Sequence, residues 1–150
     1  MFGAYLFVHL AGLALWLGSI VMLALLLTAM KRNVGSQDVA LLAQRSVKLL
    51  NRITHPSAFL ILVSGVLMMI KLDMKHDDIP FWLNFMQSAG GTLILLFIIV
   101  VSVWGKKTVK RIASGDAPAA AKSISGYVGM LLVAAVLILA VVYIVSAKIA

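Results

Sequence analysis

The sequence predicts an all-α integral membrane fold: an up-down-up-down four-helix bundle with both termini outside. Three observations carry this. Hydrophobic residues make up 63% of the 150-residue chain, against about 45–50% in soluble domains, and the mean hydropathy is +1.08. The excess is gathered into four long blocks, each close to the roughly 20 apolar residues that a spanning helix needs. The connections between blocks are short enough to make neighbouring helices antiparallel partners, and the basic residues crowd into two of them. The length fits a single domain, and no internal repeat stands out.

The first span covers about residues 3–30 and ends at Lys31-Arg32. It lacks the basic n-region of a signal peptide and is longer than an h-region of about 7–15 residues, so it is expected to be retained. Residues 37–53 interleave Val39, Leu42, Val47, Leu49, Leu50 and Ile53 with Arg45, Lys48 and Arg52. That pattern suits either an amphipathic helix lying at the membrane surface or an extension of the second span. The second span is read over residues 56–73, opening at Pro56, since proline is favoured in the first helical turn. Residues 71–79 form a short polar turn holding Asp73, Asp77 and Asp78. The third span is read over residues 80–105. Residues 106–125, through Ser114-Gly115-Asp116-Ala117-Pro118, read as a flexible connector, and the fourth span covers residues 126–147.

Orientation follows from charge. The net charge is +8. Residues 31–55 hold five Lys/Arg and residues 106–125 hold five more, so ten of the thirteen lie on one side. The positive-inside rule makes that side cytoplasmic, which puts both termini outside a bacterial cytoplasmic membrane. The lipid bilayer, through its anionic inner leaflet, is therefore the expected partner of the basic segments. No nucleic-acid-binding pattern accompanies them. The absence of cysteine excludes disulfides and thiolate chemistry. The chain has no Glu and no pair of carboxylates inside a span, which disfavours proton coupling through buried acids, and no nucleophile–base arrangement supports hydrolysis.

Apart from the phenol of Tyr5, His9 is the one ionisable side chain in the apolar run from Met1 to Met30. Such a residue is costly in hydrocarbon and defaults to a functional site whose partner should be named. His9, Gly12, Trp16 and Ser19 fall at i, i+3, i+7 and i+10, one stripe of the helix, expected to face the bundle interior. A small residue beside an imidazole and a flat indole suits a planar ligand such as a porphyrin, as it also suits an interfacial histidine with a belt tryptophan. Small residues on the other helices, Ser64-Gly65, Gly90-Gly91, Gly126 and Gly129, allow close helix packing. On the third helix Asn84, Gln87, Ser88 and Thr92 fall near one face with Gly91, where polar side chains are expected to bond a neighbouring helix.

The string H-x-x-G-x-x-x-W formed by His9, Gly12 and Trp16 resembles the first span of the small four-helix membrane family around CopD-type copper-resistance proteins and HemJ-type protoporphyrinogen oxidases. Pro56 followed by Gly65 resembles that family's second helix, and Trp82-Leu83-Asn84-Phe85-Met86 resembles the W-[LM]-H-x-K stretch of the HemJ branch. The HemJ resemblance implies b-type haem bound through the first-helix histidine, which is His9. The branch's lysine position is Met86 and the preceding histidine is Asn84. The departure removes a residue associated with the oxidase activity and leaves the enzyme assignment open. Methionine is, however, a common second haem ligand beside histidine. Both His9 and Met86 lie about two turns inside helices that start outside, roughly 8 Å deep at 1.5 Å per residue.

The expected function is therefore haem b binding in the outer half of the bundle, for electron transfer or haem-linked redox chemistry. His9 and Met86 would hold the iron, and Gly12, Trp16 and Asn84 would stand around it. The CopD side implies copper instead, for which His9, Met68, Met69, Met74 and His76 supply soft thioether and imidazole donors. The third expectation is a non-catalytic subunit of a larger membrane complex. A redox partner or a homo-oligomer fits any of the three. His55, about 30 Å from His9 across the hydrocarbon, is expected to be a residue near the start of the second helix rather than a ligand to the same haem.

Overall fold

The computed structural model describes residues 2–72 and 79–147. These residues form four long helices, each long and apolar enough to cross a bilayer, which makes the chain a multi-pass membrane protein. They are α1 (Phe2–Met30), α2 (Gln37–Leu72), α3 (Phe81–Ala113) and α4 (Ala117–Ser146). Helix α3 is interrupted by one π-helical turn, Met86–Gly90. Each helix packs on two others: α1 on α2 and α4, and α3 on α2 and α4. Contacting residue numbers run in opposite directions on neighbours. His9 meets Ile61 and Ser64 while Ser19 meets Thr54; on α3 and α4, a Cβ at Gly90 would meet Val141 while Thr108 meets Ser123.

Three helices overrun the boundaries read from hydrophobic blocks. Helix α2 does not begin at Pro56 but runs unbroken from Gln37 for 36 residues, about 54 Å at 1.5 Å per residue, well beyond a hydrocarbon core of about 30 Å. Residues 37–53 are thus the first half of α2, continuous with the span. Packing explains the extension, because Ala43 and Val47 are buried among the other helices. Pro56 is tolerated inside the helix. Its ring removes one backbone donor, while the hydroxyls of Thr54 and Ser57 donate to the carbonyls of Leu50 and Ile53, extra pairing typical of broken membrane helices.

Residues 106–125 are likewise helical apart from residues 114–116, in place of a flexible connector. Gly115 takes a left-handed backbone, φ +77°, which only glycine adopts without strain. Asp116 then caps α4, accepting from the Ala119 N–H at 3.0 Å, with Pro118 in the first turn. Thr108, Ile112, Ala120 and Ile124 are buried where α3 and α4 come together beside this turn. Helix α1 passes into α2 through a 3-10 turn, Lys31–Asn33.

The core is densest towards the basic end of the bundle. Leu23, Leu27, Val47, Val101, Ile124, Tyr127 and Leu131 are almost fully buried there. Many large apolar side chains, among them Phe7, Phe59, Ile70, Leu95 and Val136, are exposed on the outer faces, as lipid-facing surfaces are. At the end bearing the N-terminus the packing loosens. Residues 81–90 of α3 pack mainly on α4, and a cavity lies there among all four helices.

Candidate functional site

The stripe on α1 faces the interior. Gly12, Trp16 and Ser19 are buried, and His9 is half-buried at the wall of the cavity. Nδ1 of His9 lies 3.0 Å from the carbonyl oxygen of Ile61 and 3.1 Å from Oγ of Ser64. A carbonyl only accepts, so Nδ1 carries the hydrogen and donates to it. The Ser64 hydroxyl spends its own proton on the α2 backbone, at Leu60 or Ile61, so it too accepts from Nδ1–H. The neutral ring therefore keeps its lone pair on Nε2. Trp16 Nε1 is the one sealed side-chain nitrogen or oxygen without a partner among the described residues, and no hydrogen bond reaches His9 Nε2 there. Nε2 is consequently accessible and unspent. A backbone carbonyl that fixes the tautomer while the other nitrogen stays free is the usual support of a metal-ligating histidine.

The cavity is about 400 Å³, within the roughly 300–1,000 Å³ of small-molecule sites. Its walls are almost wholly apolar, and among the described residues they carry no Lys, Arg, Asp or Glu. From Phe2 at the rim to Trp16 at the deep end, α1 advances fourteen residues, about 21 Å at 1.5 Å per residue. Met86 lines the cavity, as do Met68, Met69 and Gln87. Met86 begins the π-helical turn, a feature that occurs frequently at functional sites. Trp16 closes the deep end, 1% exposed, with its ring edge-on to Phe97 at 5.2 Å and 85°.

Two expected pocket residues stand elsewhere. Gly12 leaves no space beside His9: a Cβ there would come 3.1 Å from Ile61 Cγ1 and 3.3 Å from the Ser57 carbonyl. It brings α1 and α2 into close contact, and that seats His9 on Ile61 one turn away. Asn84 is exposed and does not line the cavity; its backbone carbonyl accepts from the Ser88 hydroxyl at 2.8 Å. Ser88 therefore bonds its own helix rather than a neighbour, and Thr92 is exposed. Glycine does matter at Gly65, where a Cβ would lie 3.5 Å from His9 Cε1, in ordinary contact with the ring.

His55 lies inside α2 instead of near its start. Nδ1 donates to the Asn51 carbonyl at 2.6 Å and Nε2 meets Ser102 Oγ at 2.7 Å. With both nitrogens engaged, it ties α2 to α3 and offers nothing to a metal. Nearby, the Tyr127 hydroxyl approaches Asn51 Oδ1 at 3.4 Å beside Gly105, and Ser19 meets Thr54 at 2.8 Å. This polar layer joins the helices beyond the cavity floor. Of the copper donors, Met68 and Met69 share the cavity with His9, whereas Met74 and His76 lie outside the described residues. Among the described residues no group of three or more His, Cys, Asp or Glu could hold a metal ion. Comparisons with protein-family models, with curated proteins and with solved structures gave no match.

Proposed function

We propose that this chain is a haem b protein of the bacterial cytoplasmic membrane that serves electron transfer or haem-linked redox chemistry, in which His9 would hold the haem through Nε2. The observation that carries the proposal is the state of His9. Its Nδ1–H is fixed by the α2 backbone, its Nε2 has no hydrogen-bond partner among the described residues, and the residue lines an apolar cavity of about 400 Å³. Met86, on the same cavity, would hold it as second ligand through its thioether. Bound there, haem contributes a reversible one-electron couple, and a His/Met pair raises its potential. The chain's own part is to orient and to shield. Ile61 and Ser64 set the imidazole plane, while Leu6, Leu13, Ile138 and Val142 keep water from the site.

The four helices alternate up-down-up-down with both termini outside, so that the cavity lies in the outer half and the basic end faces the cytoplasm. The opposed contact pairs and the placement of ten basic residues support this orientation. A reporter fused to either terminus is expected on the periplasmic face, and a cytoplasmic C-terminus would overturn the orientation.

The haem assignment is tested by purifying the protein after expression with haem supplied and recording its absorption spectrum. A Soret band with stoichiometric haem is expected; its absence from folded protein rejects the proposal. Copper is the second reading, favoured because His9, Met68 and Met69 line one space. Stoichiometric copper without haem would establish it in place of the first.

A further inference from the structure

The first half of α2 presents an exposed apolar stripe outside the bilayer. Helix α2 holds no Lys, Arg, Asp or Glu between Arg52 and Lys71, a stretch of about 28 Å at 1.5 Å per residue and so one hydrocarbon thickness. Residues 37–51 therefore stand beyond the hydrocarbon at the basic end, with Leu42 about 15 Å past Arg52. The helix does not lie down on the bilayer there. It runs unbroken into its span, and Ala43 and Val47 are buried in the core of the bundle. Yet Leu42 is 54% exposed, Leu49 59% and Ile53 40%. Their spacing is that of a coiled-coil seam: Leu42 and Leu49 fall at d and Ile53 at a of one heptad frame, with half-buried Ser46 at the intervening a. In the same frame Arg45 and Arg52 both fall at g and both are exposed, and charges at e and g set partner choice. The e residues, Ala43 and Leu50, belong to the bundle's own packing.

We infer that residues 42–53 of α2 are one half of a two-helix coiled-coil seam whose other half is an acidic helix of a second protein, with leucine-type residues on the seam and Asp or Glu opposite Arg45 and Arg52. Charge selects this occupant. Residues 31–55 and 106–125 together hold ten Lys/Arg against only Asp38 and Asp116, so the acids must come from outside. A second copy of the chain, parallel in the same membrane, would bring Ala43 and Leu50 to face the arginines, and neither is an acid. Anionic lipid would answer the arginines, but the headgroup layer adds only about 5–8 Å on each side of the hydrocarbon, and Leu42 stands clear of it. A nucleic acid would leave the leucines uncovered. The seam is independent of the haem site, since Leu42 lies about 28 Å along α2 from Ile61, on which His9 is seated.

The test uses the full chain in phosphatidylcholine nanodiscs and a fluorescent synthetic helix with Leu and Ile on its seam and Glu at every e and g position, whose own acidic rows keep it from pairing with itself. A counterpart with Lys at those positions is the control. Fluorescence anisotropy should show saturable binding of the acidic helix and none of the basic one. Leu42→Asn with Leu49→Asn changes two exposed side chains and should weaken binding at least roughly tenfold. Arg45→Glu with Arg52→Glu should exchange the preference, losing the acidic helix and gaining the basic one. Because the chain has no cysteine, Leu42→Cys places a single thiol on the seam. It should react with a charged maleimide that does not enter lipid, and the acidic helix should slow that reaction. The inference is overturned if the acidic helix does not bind wild-type protein saturably, if the basic one binds equally well, or if either double variant binds as wild type does. A Leu42→Cys thiol shielded from the maleimide in the peptide-free nanodisc would place the stripe in lipid, and a disulfide between copies at that position would make the partner a second copy; either result also overturns it.

Discussion

His9→Ala protein is expected to fold and to carry no Soret band. The two effects differ in size because the two ring nitrogens do different work. Nδ1–H is shared between the Ile61 carbonyl and Ser64, and a hydrogen bond of this kind contributes about 0.5–1.5 kcal/mol net. Its removal leaves no buried orphan, since Ser64 still donates to its own helix. The stability cost is therefore about 1–2 kcal/mol once the lost packing of a half-buried ring is added. Nε2, in contrast, has no hydrogen-bond partner among the described residues, and no second imidazole among them lines the cavity to replace it. Met86→Leu is the graded companion. It should retain the band, because His9 remains, and lower the reduction potential, because the thioether is gone. His55→Ala should leave the spectrum untouched while loosening α2 from α3, since both its nitrogens are spent on Asn51 and Ser102. Absorption spectra and a redox titration of the three variants separate these outcomes, and an unchanged Soret band in His9→Ala would reject His9 as ligand.

The four spans were legible because apolar residues in long blocks leave few other solutions. The helix ends were not, and the reason is physical. Charged residues such as Arg45, Lys48, Lys107 and Lys110 mark where the hydrocarbon stops, not where the helix stops. Ala43, Val47, Thr108 and Ile124 continue the buried face past that level, so the helices continue with it. His9 and Trp16 could be found by their spacing on one stripe. Ser64 could not be found as the seat of His9, because a serine in an apolar helix ordinarily bonds its own backbone, and Ser64 does that as well. His55 was misplaced because Pro56 reads as a helix start. The cavity is a failure of four helices to close around one end, and no single segment encodes that. The π-helical turn at Met86–Gly90 lies in its wall, and nothing in the residues Met-Gln-Ser-Ala-Gly distinguishes it from an ordinary helical turn.

Gly12→Val is expected to destabilise the bundle by about 3 kcal/mol, the upper part of the range for overpacking, and to cost the haem site as well. The added Cβ would meet Ile61 Cγ1 at 3.1 Å and the Ser57 carbonyl at 3.3 Å. The first neighbour can turn, but the second is backbone, and it yields only if α1 moves away from α2. That motion lifts His9, three residues earlier, off the Ile61 carbonyl that fixes its ring. Gly105 offers a useful contrast. A Cβ there would lie 3.0 Å from Asn51 Nδ2 and 3.1 Å from the Tyr127 hydroxyl, both ends of side chains. Gly105→Ala should therefore cost less, breaking the Asn51–Tyr127 contact without separating helices. Gly18→Val is the control. It lies on the same helix, has nothing within 4 Å of its Cβ, and carries the same β-branched penalty within a helix. Thermal unfolding in detergent should rank the variants Gly18→Val, Gly105→Ala and Gly12→Val in order of increasing loss, with only the last also losing the Soret band. Equal melting temperatures for Gly12→Val and Gly18→Val would show that the α1–α2 contact does not seat His9, and the geometry assigned to the site would fall with it.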